Sequence, residues 1–302
     1  MEIIKFNYKD EIKINEPIYL CLGYFDSLHL GHIAMIKKAL EDGVKVAVMT
    51  FDVSPKYVLG IRDDASGISS LSDKADFLEE LGVSYLLILH FDLEVATIEY
   101  ESFIKDILMK IQPKPIKIFC GDDYRFGANA LGNASILSEY FNTEIYPLVK
   151  YKNRKISSRD IVSLVKEGNI TEANELLGRN YRICGNVEYG LGNGKKLGFA
   201  TANIDLDYDY VLPKEGVYMG YTIVNDVKYK SIICVSKHPT IQELNKPIIE
   251  VHLLDFNDNL YGKFLYVEFY KFMRGVKKFS STDELVEQIS KDALSAKKEL
   301  KL

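Results

Sequence analysis

Nowhere in its 302 residues does the chain have an uninterrupted apolar run near the roughly 18 residues that a membrane-spanning helix needs, which excludes a helical membrane protein. The opening residues Met1-Glu2-Ile3-Ile4-Lys5-Phe6-Asn7 lack the basic region, apolar core and small-residue cleavage site of a secretion signal, so a cytoplasmic location is expected. Cysteine is scarce. Cys21, Cys120, Cys184 and Cys234 lie far apart, and Cys21 and Cys120 sit within or at the end of apolar runs, so they read as small core residues and not as a disulfide framework. Positive charge is also in short supply: the net charge of −5 disfavours broad electrostatic binding to nucleic acid. The locally basic stretches Lys110–Lys117 and Lys150–Arg159 then read as solvated surface or phosphate contacts. No internal repeat or low-complexity segment is present.

The chain is long enough for two domains of roughly 150 residues, each with its own core. In the first half, apolar runs alternate with helix-like stretches: Ile18–Leu22 then Ile33–Leu40, Val44–Phe51 then Lys74–Leu81, Val83–Leu89 then Phe103–Ile111, and Ile116–Cys120 then Ile136–Phe141. Strands rich in Val, Ile and Leu without polar alternation predict a parallel sheet covered on both faces, which binds ligands beyond its carboxyl ends. The loop after Leu22, Thr50-Phe51 and Gly121-Asp122 all fall at such ends. After about Lys155 the pattern changes. Ser157-Ser158 predicts a helix start, Gly168 its stop, and Thr171 the cap of a second short helix ending at Gly178, a pair expected to pack on the first domain. From Tyr181 short alternating runs, Val217–Val224, Tyr229–Val235, Ile248–Phe256 and Phe264–Met273, with turn signals at Asn225-Asp226 and Asn257-Asp258-Asn259, predict an antiparallel barrel or sandwich. Ser281 to Glu284 resembles a capping box, and Leu285, Ile289 and Ala293 give the last helix an apolar stripe.

Between the first strand and the first helix lies Gly23-Tyr24-Phe25-Asp26-Ser27-Leu28-His29-Leu30-Gly31-His32, which puts two of the five histidines at a strand-to-helix junction. Such a junction offers free backbone N–H groups and the positive end of a helix dipole to phosphate. Imidazole donors there stabilise charge building on a phosphoryl group, and Gly31 removes a Cβ from the path of a ligand. On spacing alone the pair fits equally well as polar loop residues or part of a zinc site. No neighbouring Cys or carboxylate cluster completes a metal set, which favours phosphate.

These residues resemble the prokaryotic bifunctional riboflavin kinase and FMN adenylyltransferase family, often called FAD synthetase, over nearly the whole chain. The resemblance rests on Gly23–Asp26, His29–His32, Thr50–Asp52, Gly121–Gly127 and Gly132-Asn133 in the first half. In the second half it rests on Leu176–Tyr181, Leu197–Asn203, Gly216–Tyr218, Glu250–Phe256, Arg274 and Phe279. It implies a Rossmann-like nucleotidylyltransferase domain over residues 1–178 and a β-barrel flavokinase domain ending in a helix over residues 179–302. By resemblance, His29 and His32 serve adenylyl transfer; Gly23, Phe25, Asp26, Gly31, Ser157, Ser158 and Arg159 surround its nucleotide; and Asp123, Arg125, Phe126 and Asn129 help bind flavin. In the second domain Gly192, Lys196 and Gly198 belong to a phosphate loop, Thr201 and Asn203 are implied Mg²⁺ ligands, Glu250 is the implied base, and Arg274 positions flavin or ADP. ATP is the implied co-substrate, with riboflavin, FMN and FAD as substrates or products.

The chain departs from the family pattern at several points. Ser27 stands for a usual Gly, Val53-Ser54-Pro55 for a Pro-His-Pro turn, and Val162 for the arginine of a Ser-Ser-Thr-x-x-Arg signature. A charge-assisted contact to phosphate contributes about 1.5–3 kcal/mol, so its loss implies adenylylation slower by about tenfold to a hundredfold. Arg159, three residues earlier on the expected helix, is the nearest replacement. Ala200, Cys234-Val235-Ser236 and Val276 depart from the kinase pattern, but none removes an implied ligand or the base. Two alternatives stay open: a kinase whose adenylylation domain is weak or inactive, and a non-catalytic flavin-binding regulator.

Overall fold

Six strands rich in branched residues, Glu2–Phe6, Ile18–Leu22, Lys45–Phe51, Tyr85–Leu89, Lys117–Gly121 and Thr143–Tyr146, form the sheet of the first half. The computed structural model describes residues 1–188, 201–236 and 247–302, and the chain divides into two units, Met1–Ser158 and Arg159–Leu302. In the first unit the spatial order of the strands is Glu2–Phe6, Tyr85–Leu89, Lys45–Phe51, Ile18–Leu22, Lys117–Gly121, Thr143–Tyr146. Every neighbouring pair is parallel, as the unbroken apolar runs predict. Alternate residues feed two cores. Leu20, Leu22, Met49 and Leu87 pack on one face, and Cys21, Val48, Leu86 and Phe119 pack on the other against the helices Leu30–Leu40 and Leu71–Glu80. The chain builds outward from Ile18–Leu22 in one direction and then returns to lay Lys117–Gly121 on its other side. That reversal creates a crevice beyond the carboxyl ends of these two strands, the usual ligand position of an open α/β sheet.

Several element boundaries differ from expectation because local caps decide them. The first helix starts at Leu30, three residues early, since His29 caps it; the helix expected from Lys74 starts at Leu71, where Ser70 and Asp73 form a reciprocal capping box. The helix expected over Phe103–Ile111 is Tyr100–Asp106 followed by a 3₁₀ turn at Leu108–Lys110.

The second unit begins with the helices Ser158–Glu167 and Ile170–Leu177. Both were expected to pack on the first domain, yet nearly all of the pair falls in the second unit. The reason lies in Asn174, whose side chain accepts from the Tyr181 N–H at 2.7 Å and donates to the Phe269 carbonyl at 2.9 Å, stitching the second helix to the barrel. Asn169, not Thr171, occupies that helix's cap position.

The barrel is closed and antiparallel in the order Tyr181–Glu188, Ala202–Leu206, Ile248–Leu253, Val227–Ser236, Gly216–Val224, Phe264–Arg274. Its register separates inward and outward rows. Ala202, Val251, Ile233 and Tyr218 oppose one another in sequence and are buried, forming one inward layer. Closure brings strands so near that a Cβ at Gly220 would lie 1.9 Å from the Glu268 carbonyl oxygen. The last helix, Thr282–Glu299, lays Ala293 and Ala296 over the outward face at Val217, Met219, Ile232 and Leu254. Ser281 caps this helix by accepting from the Glu284 N–H, but Glu284 reaches back to Ser280 rather than Ser281, so the expected capping box is displaced by one residue.

Candidate active sites

In the first unit, the loop leaving Ile18–Leu22 opens onto the switch-point crevice. Phe25 and Leu28 are buried and adopt left-handed backbone conformations, φ +53° and +42°, which side-chain-bearing residues rarely take. His29 follows as the cap of helix Leu30–Leu40, its Nδ1 accepting the His32 N–H at 3.3 Å. This assigns the His29 proton to Nε2, on the far side of the ring. The two imidazoles stack with centroids 3.7 Å apart and planes 9° from parallel, and Phe25 meets His32 edge-on at 5.1 Å. A Cβ at Gly31 would lie 3.0 Å from the His29 ring, so the glycine lets that imidazole pack closely over the start of the helix. Both implied catalytic histidines therefore sit at the positive end of one helix beside the crevice.

Behind this loop the Tyr24 carbonyl accepts from Thr50 Oγ1 at 2.6 Å and from Lys74 Nζ at 3.2 Å. Asp26 is buried, and its Oδ1 accepts the Ile68 N–H at 3.2 Å. Burial raises the Asp26 pKa, while the charge of Lys74 acts in the opposite direction. Lys74 is itself buried, which pushes its pKa down to about 8. Ser27 is fully buried with its hydroxyl 2.8 Å from that of Ser158, so the residue standing for the usual Gly ties the histidine loop to the serine pair. Ser157 is half-buried; Arg159 is exposed on the first turn of helix Ser158–Glu167, and Val162 is half-buried one turn on.

Across the crevice, Lys117–Gly121 leads into the loop that carries Asp123, Arg125, Phe126 and Asn129. Asp123, Arg125 and Asn129 are exposed, and Asp123 pairs with Lys155 at 2.6 Å. Phe126 is buried against Phe103 at a ring separation of 5.0 Å, so it anchors the loop in the core. The strand ends also hold a pair that sequence reading passed over: His90 Nδ1 lies 2.6 Å from Asp52 Oδ2, and the Asp52 Oδ1 accepts the Phe91 N–H. The hydrogen bond to Asp52, followed by its charge, raises the His90 pKa.

In the second unit the register places Asn203 opposite Glu250, Glu250 opposite Cys234, Cys234 opposite Val217 and Val217 opposite Arg274. Directly opposed residues share a face, so Asn203, Glu250, Cys234 and Arg274 belong to one outward row. Thr201 lies immediately before the strand Ala202–Leu206. The electrostatics agree: burial pushes the Cys234 thiol up to about 11, Glu250 pushes the same way, and Arg274 opposes both. Asn203 brings a neutral amide oxygen opposite the Glu250 carboxylate, oxygen donors of the kind that Mg²⁺ takes. Arg274 is gripped by the last helix. Its Nε and Nη2 donate to Asp292 at 3.0 and 2.7 Å, and Gln288 donates to the same carboxylate. Asp292 escaped the sequence reading because an acidic residue on an amphipathic helix gives no signal of a partner eighteen positions away. Gly192, Lys196 and Gly198 lie outside the described residues.

Comparisons with known proteins follow the same division. A family model described as FAD synthetase matches residues 11–160, and one described as riboflavin kinase matches residues 177–300. A bifunctional riboflavin kinase/FMN adenylyltransferase from Listeria monocytogenes is 33% identical over 90% of this chain and 89% of its own length. The protein of that name from Bacillus subtilis is 34% identical over 92% of this chain and 90% of its own length. A crystal structure named Macrolide-efflux Protein, from Streptococcus pneumoniae, superimposes with a TM-score of 0.90 at 29% identity, covering 98% of this chain and 99% of that one. Among the described residues no helix is long and apolar enough to cross a membrane. The chain belongs to the bifunctional riboflavin kinase/FMN adenylyltransferase family.

Proposed function

We propose that the second unit transfers the γ-phosphoryl group of ATP to the 5′-hydroxyl of riboflavin, and that the first unit joins the resulting FMN to the adenylyl group of a second ATP, releasing pyrophosphate. The observation carrying this reading is that one chain has stacked histidines at the switch point of a parallel sheet and, on a barrel, Asn203 and Glu250 side by side on one face.

In the kinase reaction Glu250 takes the proton of the flavin hydroxyl as its oxygen attacks the γ-phosphorus, and ADP leaves. Thr201 and Asn203 would hold Mg²⁺, which when bound neutralises phosphate charge. Arg274, fixed by Asp292, keeps its guanidinium at the end of the row, where it positions flavin or ADP. In the adenylylation reaction an FMN phosphate oxygen attacks the α-phosphorus of ATP. His29 Nε2–H and His32 donate to oxygens gaining charge, and Gly23, Phe25, Asp26 and Gly31 shape the loop that presents them. Ser157 and Ser158 contact the nucleotide phosphates, and the exposed Asp123, Arg125 and Asn129 receive the flavin, on a loop that Phe126 anchors. ATP consumption by both steps suits the cytoplasm.

The test is to incubate the protein with riboflavin, ATP and Mg²⁺ and resolve the flavins by chromatography. FMN and FAD both appearing is the expected result. FMN accumulating alone would mark the first unit as inactive, and binding of flavin without ATP turnover would make the protein a regulator.

A further inference from the structure

Resting on the adenylyltransferase reading, we propose that Lys74 is a positioning residue for that reaction, acting through Asp26 and the Tyr24 carbonyl to hold the left-handed turn that presents His29 and His32.

The turn needs external support. Phe25 and Leu28 occupy the left-handed region without being glycine, a conformation that persists only where its surroundings over-determine it. Contacts from outside the loop include Thr50 and Lys74 on the Tyr24 carbonyl, the Ile68 N–H on Asp26, and the Ser158 hydroxyl on Ser27. Lys74 is the one that brings charge. Its ammonium also lies 4.3 Å from the centre of the Tyr24 ring, which stacks with Phe51. Lys74 is 2% and Asp26 8% exposed, so each charge is largely removed from water. A buried carboxylate that loses its cation becomes unstable in place and must take up a proton or move. Arg62 and Lys56 also act on Asp26, but more weakly than Lys74. Asp26 is three residues from His29, so its displacement is transmitted directly to the stacked imidazoles. No sequence period marks Lys74, which occupies a core-facing position of helix Leu71–Glu80 where an apolar residue is the default.

The experiment is a double-mutant cycle on the full chain, reading FAD formed from FMN and ATP, together with the imidazole proton resonances of the five histidines. Lys74→Met is expected to lower the rate at least tenfold and to shift the His29 and His32 resonances, while Lys74→Arg retains more activity. On an Asp26→Asn background, which keeps an acceptor for the Ile68 N–H, the same Lys74→Met change is expected to cost less than threefold, because no charge remains to be balanced. An equal loss on both backgrounds, or unmoved histidine resonances in Lys74→Met, would overturn the proposal. If Lys74→Met unfolds the first unit, the double variant and Lys74→Arg decide: both inactive defeats it. A wild-type protein that makes no FAD defeats the adenylyltransferase reading instead, and the resonances still report on Lys74.

Discussion

Histidine is seldom chosen to cap a helix, yet His29 does so with the same Nδ1 that fixes its tautomer. One hydrogen bond therefore caps the helix and places the ring proton on Nε2. Replacing His29 by Ala should remove a cap and a transition-state donor together. Loss of one such donor typically lowers turnover by about a hundredfold or more, so FAD formation should fall by at least that factor while riboflavin phosphorylation, measured in the same sample, stays unchanged. At the neighbouring strand ends, the Asp52–His90 pair makes a prediction about pH. The bond to Asp52 raises the His90 pKa, so its stabilising contribution is fully present below the ordinary histidine range and is lost as pH rises through the folded-state value. The contribution is small, since the His90 side chain is 53% exposed. A proton NMR titration should place the His90 midpoint above the ordinary value near 6.5, and Asp52→Asn should bring it back. A midpoint at or below that value in the wild type would contradict the geometry.

Elements differ in how plainly the sequence announces them. The interior strands Ile18–Leu22, Lys45–Phe51 and Tyr85–Leu89 were legible because burial on both faces demands unbroken apolar runs. The edge strands Glu2–Phe6 and Thr143–Tyr146 were not, since their exposed positions admit polar residues. Motif spacing singles out His29 and His32 in the sequence, and family resemblance singles out Asn203 and Glu250. Lys74 and Asp292 could not, because each acts through a partner brought near only by tertiary packing. Cross-strand register, which places Cys234 between Glu250 and Arg274, is likewise set by the barrel and not by any local pattern. The barrel's tightest constraint is at Gly220. A methyl group there would overlap the Glu268 carbonyl, and overpacking of this kind costs about 1–3 kcal/mol or more. Gly220→Ala should lower the melting temperature of the barrel, read by circular dichroism, and reduce riboflavin phosphorylation with it.

For the whole molecule, the two reactions are assigned to different compact units with different folds, and the product of one is the substrate of the other. Nothing in the chemistry requires FMN to stay bound between steps, since each transfer consumes its own ATP and the two family domains occupy separate stretches of the chain. Two singly disabled proteins should therefore complement each other. Glu250→Gln keeps the size and hydrogen bonding of the side chain but cannot accept a proton, so it should lose FMN formation by about a hundredfold or more, a factor within the range of general-base contributions, while still converting supplied FMN to FAD. His29→Ala should convert riboflavin to FMN and stop. Each variant alone, given riboflavin, ATP and Mg²⁺, should yield almost no FAD; mixed in equal amounts they should restore it, after a lag while free FMN accumulates. A lag that shortens as total protein rises is the expected signature of diffusion between sites. FMN that stays bound to the His29→Ala protein on gel filtration, so that the mixture forms FAD only when free FMN is added, would mean that FMN is not released between the steps, and the picture of two independent sites would have to be abandoned.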